Sequence, residues 1–224
     1  MLYKLPYSVD TDHLLEAVST ISNDQTKLTI NQPTGNFFYD EWELKPEYKD
    51  TIWELVYNSL GKRKGEARII RLNGGESYIS HADVDDRYHL NLSGIKSFLI
   101  DLDRNKMHET LADGIWYQMD AGQRHSAVNF GNKIRYQLVV RTPLIRGCIS
   151  DPIDVIITAN NSIDPNTARF IFDDTISGWL NDINKEGLLD NFSYANNVVT
   201  FTTDAWHVYK LEDLLPNEFL MELK

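Results

Sequence analysis

Residues 67–141 decide the fold, because apolar and polar side chains alternate along most of their length. Eight short runs, broken by Gly, Asn and Asp, share this period of two: ARIIRL (67–72), ESYISHAD (76–83), RYHLNLSG (87–94), KSFLIDL (96–102), HETLAD (108–113), GIWYQMD (114–120), RHSAVNF (124–130) and KIRYQLVV (133–140). Alternation of this kind is typical of strands that bury one face. Short strands in such close succession favour a compact antiparallel sandwich or barrel.

Helical patterns precede this stretch, and a mixed pattern follows it. Apolar residues fall at helical spacing over residues 10–21 and again over residues 48–60. The pattern after Pro143 predicts three further elements: a strand over 153–158, a helix over 168–183 and a strand over 197–203.

The predicted fold is therefore mainly β with flanking helices, an α+β organisation in three regions. These are a helical and extended N-terminal flank packed on the core (residues 1–66), the β core itself (67–142) and a smaller C-terminal α/β accessory region (143–224). The chain contains no Pro/Gly/Ser-rich linker, so the boundaries between these regions are soft.

Composition excludes several classes of protein. The formal net charge is −11, which disfavours binding to nucleic acid, and hydrophobic residues make up 42% of the chain, enough for a packed core. No apolar stretch is long enough to span a membrane, and residues 1–10 lack the apolar centre of a signal peptide. The single cysteine, Cys148, fits a reducing compartment. We expect a cytoplasmic protein without nucleic-acid or membrane partners.

Familiar catalytic motifs are absent from the sequence. It contains no G-x-S-x-G elbow, no G-x-x-x-x-G-K-[ST] loop and no G-x-G-x-x-G turn. Serine hydrolase, P-loop and dinucleotide-binding readings therefore have no support in the sequence.

The most informative feature is the pair His81 and Asp83, followed 44 residues later by His125. Residues i and i+2 of a strand point to the same side, so the first two side chains can face a barrel interior together. Two imidazoles and one carboxylate on one face of a metal leave coordination positions open on the other face, as Fe(II) oxygenases require. Zinc more often has a closed tetrahedral or His-rich set of ligands. A second interpretation stays open: a hydrogen-bonded histidine beside a solvated acidic turn, since Asp85 and Asp86 follow.

Arg135, ten residues after His125, could bind the far carboxylate of a 2-oxo diacid with its guanidinium. If residues 125–129 and 133–140 pair as a hairpin, an odd-numbered loop over 130–132 places both side chains on one face. We therefore predict an odd-numbered loop.

The run at 87–92 has a polar side formed by Arg87, His89 and Asn91. This side either faces water, as in a half-exposed strand, or binds carboxylates inside the barrel. The alternation does not decide between the two.

These residues resemble the aspartyl/asparaginyl β-hydroxylase superfamily of Fe(II)/2-oxoglutarate-dependent dioxygenases, which includes the bacterial cis-type proline hydroxylases. The resemblance covers residues 67–142. It is carried by RIIRLNGGESYISHAD, DRYHLNLSG and GIWYQMDAGQRHSAVNFGNKIRYQLVV. Around the first His, the shared details are a strand and Gly turn before it and an R-x-H strand after it. Around the second His, they are a Trp and an Asp before it, the pattern H-x-x-x-N that it begins, and an Arg ten residues after it.

The resemblance implies a double-stranded β-helix core, the jelly-roll or cupin-like barrel. It implies His81, Asp83 and His125 as iron ligands and catalytic centre, with Arg135 on the carboxylate of 2-oxoglutarate. It further assigns His89, and with it Arg87, to the same co-substrate. Two departures weaken the match: Ile70 stands where the family has a Ser that touches 2-oxoglutarate, and the segment after His81 is shorter than in the vertebrate enzymes.

The function expected from this resemblance is hydroxylation of a C–H bond in a free amino acid or related small carboxylate. Fe(II), 2-oxoglutarate and O₂ would be required, and 2-oxoglutarate would be decarboxylated to succinate. One alternative is hydroxylation of an Asp, Asn or Pro side chain in a peptide or protein. Another, from a different class, is a cupin-like protein that binds a metal or small ligand without oxidation. The sequence assigns no substrate-binding residue and no oligomeric state.

Overall fold

A computed structural model describes residues 2–22, 26–149, 152–160 and 162–224. The chain divides into two compact units, Met1–Leu144 and Ile145–Lys224. Over the described residues it is mainly β, with several antiparallel sheets and five α-helices, which confirms the predicted fold class at this level. Among these residues no helix combines the length and the apolar character of a membrane span.

The first unit contains eleven strands and two α-helices within its described residues. In chain order they are β1 (Leu2–Ser8), α1 (Thr11–Ser19), β2 (Lys27–Thr29), β3 (Asn31–Pro33), β4 (Trp42–Leu44), a 3-10 turn (Pro46–Tyr48), α2 (Ile52–Asn58), β5 (Ala67–Leu72), β6 (Arg87–Ser93), β7 (Ser97–Asp101), β8 (Lys106–Glu109), β9 (Ile115–Met119), β10 (His125–Asn129) and β11 (Arg135–Arg141).

Six of these strands form one antiparallel sheet, in the order β1-β9-β6-β11-β5-β2. Its apolar face is covered by the two helices: Leu90 of β6 and Leu138 of β11 belong to the same buried cluster as Leu14 of α1 and Trp53 of α2. Because side chains alternate across a strand, the polar residues of β6 and β11 point to the opposite face of this sheet.

A second sheet, in the order β10-β7-β8, lies against that polar face. Leu99 of β7 and Ala127 of β10 pack with Met119 of β9, so side chains of both sheets meet in one buried cluster. The two sheets also share a cavity of about 750 Å³, lined by β5, β6 and β11 on one side and β7 and β10 on the other. This cavity receives the polar side chains of the larger sheet.

Six of the eight predicted β runs are confirmed as strands. The run over 108–113 overlaps β8 only at residues 108–109, and the run over 76–83 is not a strand. That segment follows β10 through two isolated bridges, Ser77 with Val128 and His81 with His125. Four residue steps on the segment oppose three on β10, so one extra residue breaks the ladder as a bulge does.

The hairpin on which the loop prediction depends, between residues 125–129 and 133–140, does not form. β10 pairs with β7, whereas β11 pairs with β5 and β6 in the other sheet. The connection over 130–134 does have an odd number of residues, but it joins two sheets, so its parity does not decide which way the side chains face.

The second unit is an antiparallel sheet, in the order β13-β14-β12-β15, with three helices and its own buried cluster. Its elements are β12 (Pro152–Ala159), α3 (Pro165–Thr175), α4 (Ser177–Lys185), β13 (Asp190–Ala195), β14 (Val198–Asp204), α5 (Ala205–Leu214) and β15 (Phe219–Leu223). Both predicted strands are confirmed.

The single helix predicted over 168–183 is two helices that meet at Ile176. The hydroxyls of Thr175 and Ser177 donate to the carbonyls of Ile171 and Asp173. Hydroxyl back-bonding of this kind bends helices, and here it brackets the break.

Candidate metal centre

The backbone brings together the three residues predicted to be metal ligands. His81 and His125 form a hydrogen-bonded antiparallel pair, with N–O distances of 3.0 and 2.8 Å. The Asp83 amide donates to the Ala121 carbonyl at 2.7 Å, which fixes the third residue beside them. One ligand atom of each side chain lies within 4.8 Å of the other two, so a single ion can contact all three.

Both imidazoles present the nitrogen that a metal would need. The Nδ1 of His81 is 2.8 Å from the Ile79 carbonyl, and the Nδ1 of His125 is 2.9 Å from the Gln123 carbonyl. A carbonyl oxygen can only accept, so each Nδ1 carries a proton, and in the neutral imidazole the Nε2 then keeps its lone pair. Metal-binding histidines are oriented by such bonds.

The two oxygens of the Asp83 carboxylate contact different groups. Its Oδ2 lies 3.6 Å from the Nε2 of His125 and 3.9 Å from the Nε2 of His81, while its Oδ1 accepts from Arg87 at 2.8 Å. The side chain of His81 is 47% exposed and that of His125 only 7%, so the group has a solvent side and a buried side.

The acidic string after His81 is not a solvated turn. Asp85 is buried and pairs with the guanidinium groups of both Arg87 and Arg141. Asp86 accepts from the side chain of Gln118 at 2.8 Å, and burial raises the pKa of its carboxyl.

Burial governs the protonation of the histidines on the cavity wall. It lowers the pKa of His125 below its ordinary value, although Gln123 and Asp83 act in the opposite direction. It lowers the pKa of His89 to about 3, with a further contribution from the positive charge of Arg135. His89 is therefore neutral at pH 7.

The polar side of β6 is buried and does not face water, and two of its residues, Arg87 and His89, line the cavity, which decides between the two interpretations of that strand. Arg87, His89 and Asn91 are 5%, 5% and 2% exposed. Arg87 approaches Asp83, His89 is two residues further along, and the Asn91 Oδ1 lies 3.4 Å from the Nε of Arg135. These side chains form a row that leads away from the metal ligands.

Arg135 lies at the far end of this row and is 2% exposed. Its guanidinium donates to the Gln137 Oε1 at 2.6 Å. Among the described residues no carboxylate pairs with it. Burial lowers its pKa only to about 10, so it remains charged at pH 7 without a protein counter-ion.

The remaining predicted residue, Arg87, lies on the cavity wall, but its guanidinium is bonded to Asp83 and Asp85. Ile70, at the position of the family Ser, also lines the cavity. The N-terminal flank contributes Thr26 and Lys27 to the wall.

Sequence reasoning did not single out Gln137 or Asp85. Gln137 could have been found from its i+2 spacing to Arg135, which places both on one side of β11. The nearby Arg87 is a local signal for Asp85, but its second partner, Arg141, is 56 residues away and no local pattern points to it.

Searches with this sequence match no protein-family model and no curated protein, so the account of the site rests on the chain's own residues.

Proposed function

We propose that the protein is an Fe(II)/2-oxoglutarate-dependent dioxygenase that hydroxylates a C–H bond of a free amino acid or related small carboxylate. One observation carries the proposal: the cavity that contains the His-Asp-His group is also lined by Gln137, whose side chain accepts from a buried arginine, Arg135, without a carboxylate partner among the described residues. A ligand with a metal-binding end and a carboxylate at the other end matches this arrangement.

The proposal includes a double-stranded β-helix for the first unit. Two antiparallel sheets around a shared cavity support this fold. In this interpretation β1 and β2, from the N-terminal flank, extend the larger sheet at its two edges.

The three ligands fit a facially bound metal. Two neutral imidazole Nε2 atoms and one carboxylate oxygen are typical ligands of non-haem Fe(II), and they leave positions open for 2-oxoglutarate and O₂. When bound, the iron supplies the oxidation in which 2-oxoglutarate, O₂ and R–H become succinate, CO₂ and R–OH.

The chain's own residues supply orientation. Arg135 gives the co-substrate carboxylate a charge-assisted partner in a site from which water is largely excluded. His89 is neutral, and neither of its ring nitrogens has a hydrogen-bond partner among the described residues, so it can serve the same ligand. Arg87, which the resemblance assigns to the co-substrate as well, instead orients Asp83 through its ion pair.

Two alternatives remain candidates. A peptide side chain could be the substrate in place of a free amino acid, and the exposed position of His81 is compatible with either. A non-oxidative metal-binding barrel is the alternative from another class. The buried charge of Arg135 favours the enzyme, because a protein that binds only a metal has no use for an unneutralised guanidinium there.

Binding of 2-oxoglutarate without oxygen tests this proposal. We expect one equivalent to bind only when Fe(II) is present, and we expect Asp83→Ala to lose both ligands. Asp173→Ala is the matched control, since it removes an exposed carboxylate paired with Arg169 in the other unit. Metal-independent binding, or no binding by the wild type, would contradict the proposal.

A further inference from the structure

Gln137 occupies a position on β11 where a polar side chain needs a partner. It stands opposite Ile70 on β5 and Asn91 on β6, so strands enclose it on both sides. It is 4% exposed and lines the cavity that holds the metal ligands.

The hydrogen bond from Arg135 fixes how the Gln137 amide is oriented. A guanidinium can only donate, so the atom 2.6 Å from it is the amide oxygen. The Nε2 group is then the free end, and it has no hydrogen-bond partner among the described residues. The neighbouring His89 ring interacts with Gln137 but does not reach ordinary hydrogen-bond geometry with it. Buried donors are rarely left unpaired, so an acceptor supplied by a ligand can satisfy this one.

Two further groups beside Gln137 indicate the same kind of ligand. His89 has both ring nitrogens buried without a hydrogen-bond partner in the described structure. Arg135 has a positive charge without a carboxylate partner among those residues. A carboxylate satisfies all three, because it is anionic and accepts several hydrogen bonds.

The neutrality of Gln137 is what leaves this charge available. A glutamate would fit the same space and hold Arg135 equally well, but it would neutralise the guanidinium and remove the amide donor. The amide therefore positions Arg135 without competing with an incoming anion.

We propose that Gln137 is a ligand-binding and specificity-determining residue: its Oε1 holds Arg135, and its Nε2 donates to the carboxylate of the 2-oxo acid that lies away from the metal. This inference rests on the proposed function. It adds a residue that selects 2-oxo diacids over 2-oxo monoacids.

Gln137→Glu tests the inference through binding affinity in the full-length protein, measured by calorimetry with saturating Fe(II) and without oxygen. We expect the affinity for 2-oxoglutarate to fall at least about 100-fold, because a carboxylate then faces a carboxylate. The affinity for Fe(II) alone should stay within about twofold of wild type, since Gln137 is not one of the three residues that could hold the ion. Gln32→Glu, a charge change on β3 with an exposed hydrogen bond to Glu43, is the matched control.

The choice of ligand separates this role from a structural one. 2-Oxopentanoate has the same carbon chain as 2-oxoglutarate but no second carboxylate. The wild type should prefer 2-oxoglutarate strongly, and Gln137→Glu should reduce that preference at least about tenfold, since only the diacid meets the new charge.

Binding of 2-oxoglutarate by the wild type and by Gln137→Glu distinguishes failure of this inference from failure of the proposed function. If Gln137→Glu binds 2-oxoglutarate as tightly as wild type, the inference is overturned. If the wild type itself binds none, the proposed function fails instead. If Gln137→Glu does not fold, as judged by thermal unfolding, Gln137→Leu replaces it: about tenfold weaker binding of 2-oxoglutarate with Fe(II) affinity retained supports the inference, and unchanged binding overturns it.

Discussion

At the scale of single residues, the acidic residues that follow His81 have different partners. Asp83 faces the two imidazoles, and Asp85 lies between Arg87 and Arg141. These two arginines are direct cross-strand partners on β6 and β11, so their charges would repel each other without the carboxylate between them. The negative charge of Asp85 thus stabilises the side of the cavity that orients Asp83, one of the three residues that could hold a metal ion.

Asp85→Ala should therefore be strongly destabilising. It removes the carboxylate shared by two buried arginines: Arg141 loses its bonded counter-ion, and Arg87 keeps only Asp83. Breaking a buried ion pair in this way costs about 3–5 kcal/mol in free energy of unfolding. Urea unfolding measures the loss. Asp173→Ala breaks an exposed pair and should cost less than about 1 kcal/mol. Equal losses in free energy of unfolding for the two variants would show that the buried ion pairs of Asp85 do not stabilise the fold.

His89 should make the protein acid-sensitive. Its pKa is about 3 in the folded chain because of burial, whereas an unfolded imidazole takes up a proton below about pH 6.5. The unfolded state therefore binds more protons between these values, and stability falls as pH falls, by up to about 1.4 kcal/mol per unit from this residue.

Urea unfolding between pH 7 and pH 4 tests the contribution of His89. The other histidines are common to both proteins, so His89→Asn should lose stability less steeply than wild type over this range. Parallel curves for the two proteins would be evidence against a neutral, buried His89.

At the scale of elements, the sequence predicts strands better than it predicts their partners. Alternation shows which side chains share a face of a strand, and it correctly groups Arg87, His89 and Asn91 on one side of β6. It does not show whether that side faces water or a cavity. It also says nothing about strand pairing, and the hairpin assumed between β10 and β11 does not form.

Two misses have local causes. β1 contains Pro6, which weakens a strand signal and is tolerated because β1 lies at a sheet edge. The bulge in the segment before Asp83 shifts the register by one residue between Ser77 and His81, and no pattern in the sequence marks it. The ligand set was predicted from spacing, but its geometry depends on that bulge.

The turn between β6 and β7 should be sensitive to any side chain. Gly94 has φ 108°, and a Cβ there would lie 3.2 Å from the Cα and Cβ of Arg135. Gly94→Ala should lower the free energy of unfolding by about 1–3 kcal/mol and weaken 2-oxoglutarate binding by displacing Arg135. Calorimetry and urea unfolding measure both effects.

Gly178→Ala is the control for this prediction. Gly178 lies in α4 with open space around it, so alanine should stabilise by about 0.5–1 kcal/mol and leave binding unchanged. A neutral Gly94→Ala would show that the turn does not constrain Arg135.

At the scale of the whole molecule, the charge of the chain and that of its cavity have opposite signs. The net charge is −11, yet the cavity wall contains Lys27, Arg68, Arg71 and Arg87 against Glu76 and Asp83. A cationic cavity in an acidic protein concentrates small anions at that one place. The predicted partner, a small carboxylate, agrees with this distribution of charge.

Turnover of 2-oxoglutarate distinguishes a dioxygenase from a non-oxidative binding protein. The wild type, supplied with Fe(II), 2-oxoglutarate, O₂ and a panel of free amino acids, should release succinate and form one equivalent of hydroxylated product with at least one member of the panel. Asp83→Ala should release none, and Asp173→Ala should match wild type. If the wild type binds Fe(II) but yields no succinate with any amino acid or with 2-oxoglutarate alone, the dioxygenase account is contradicted and the non-oxidative binding protein takes its place.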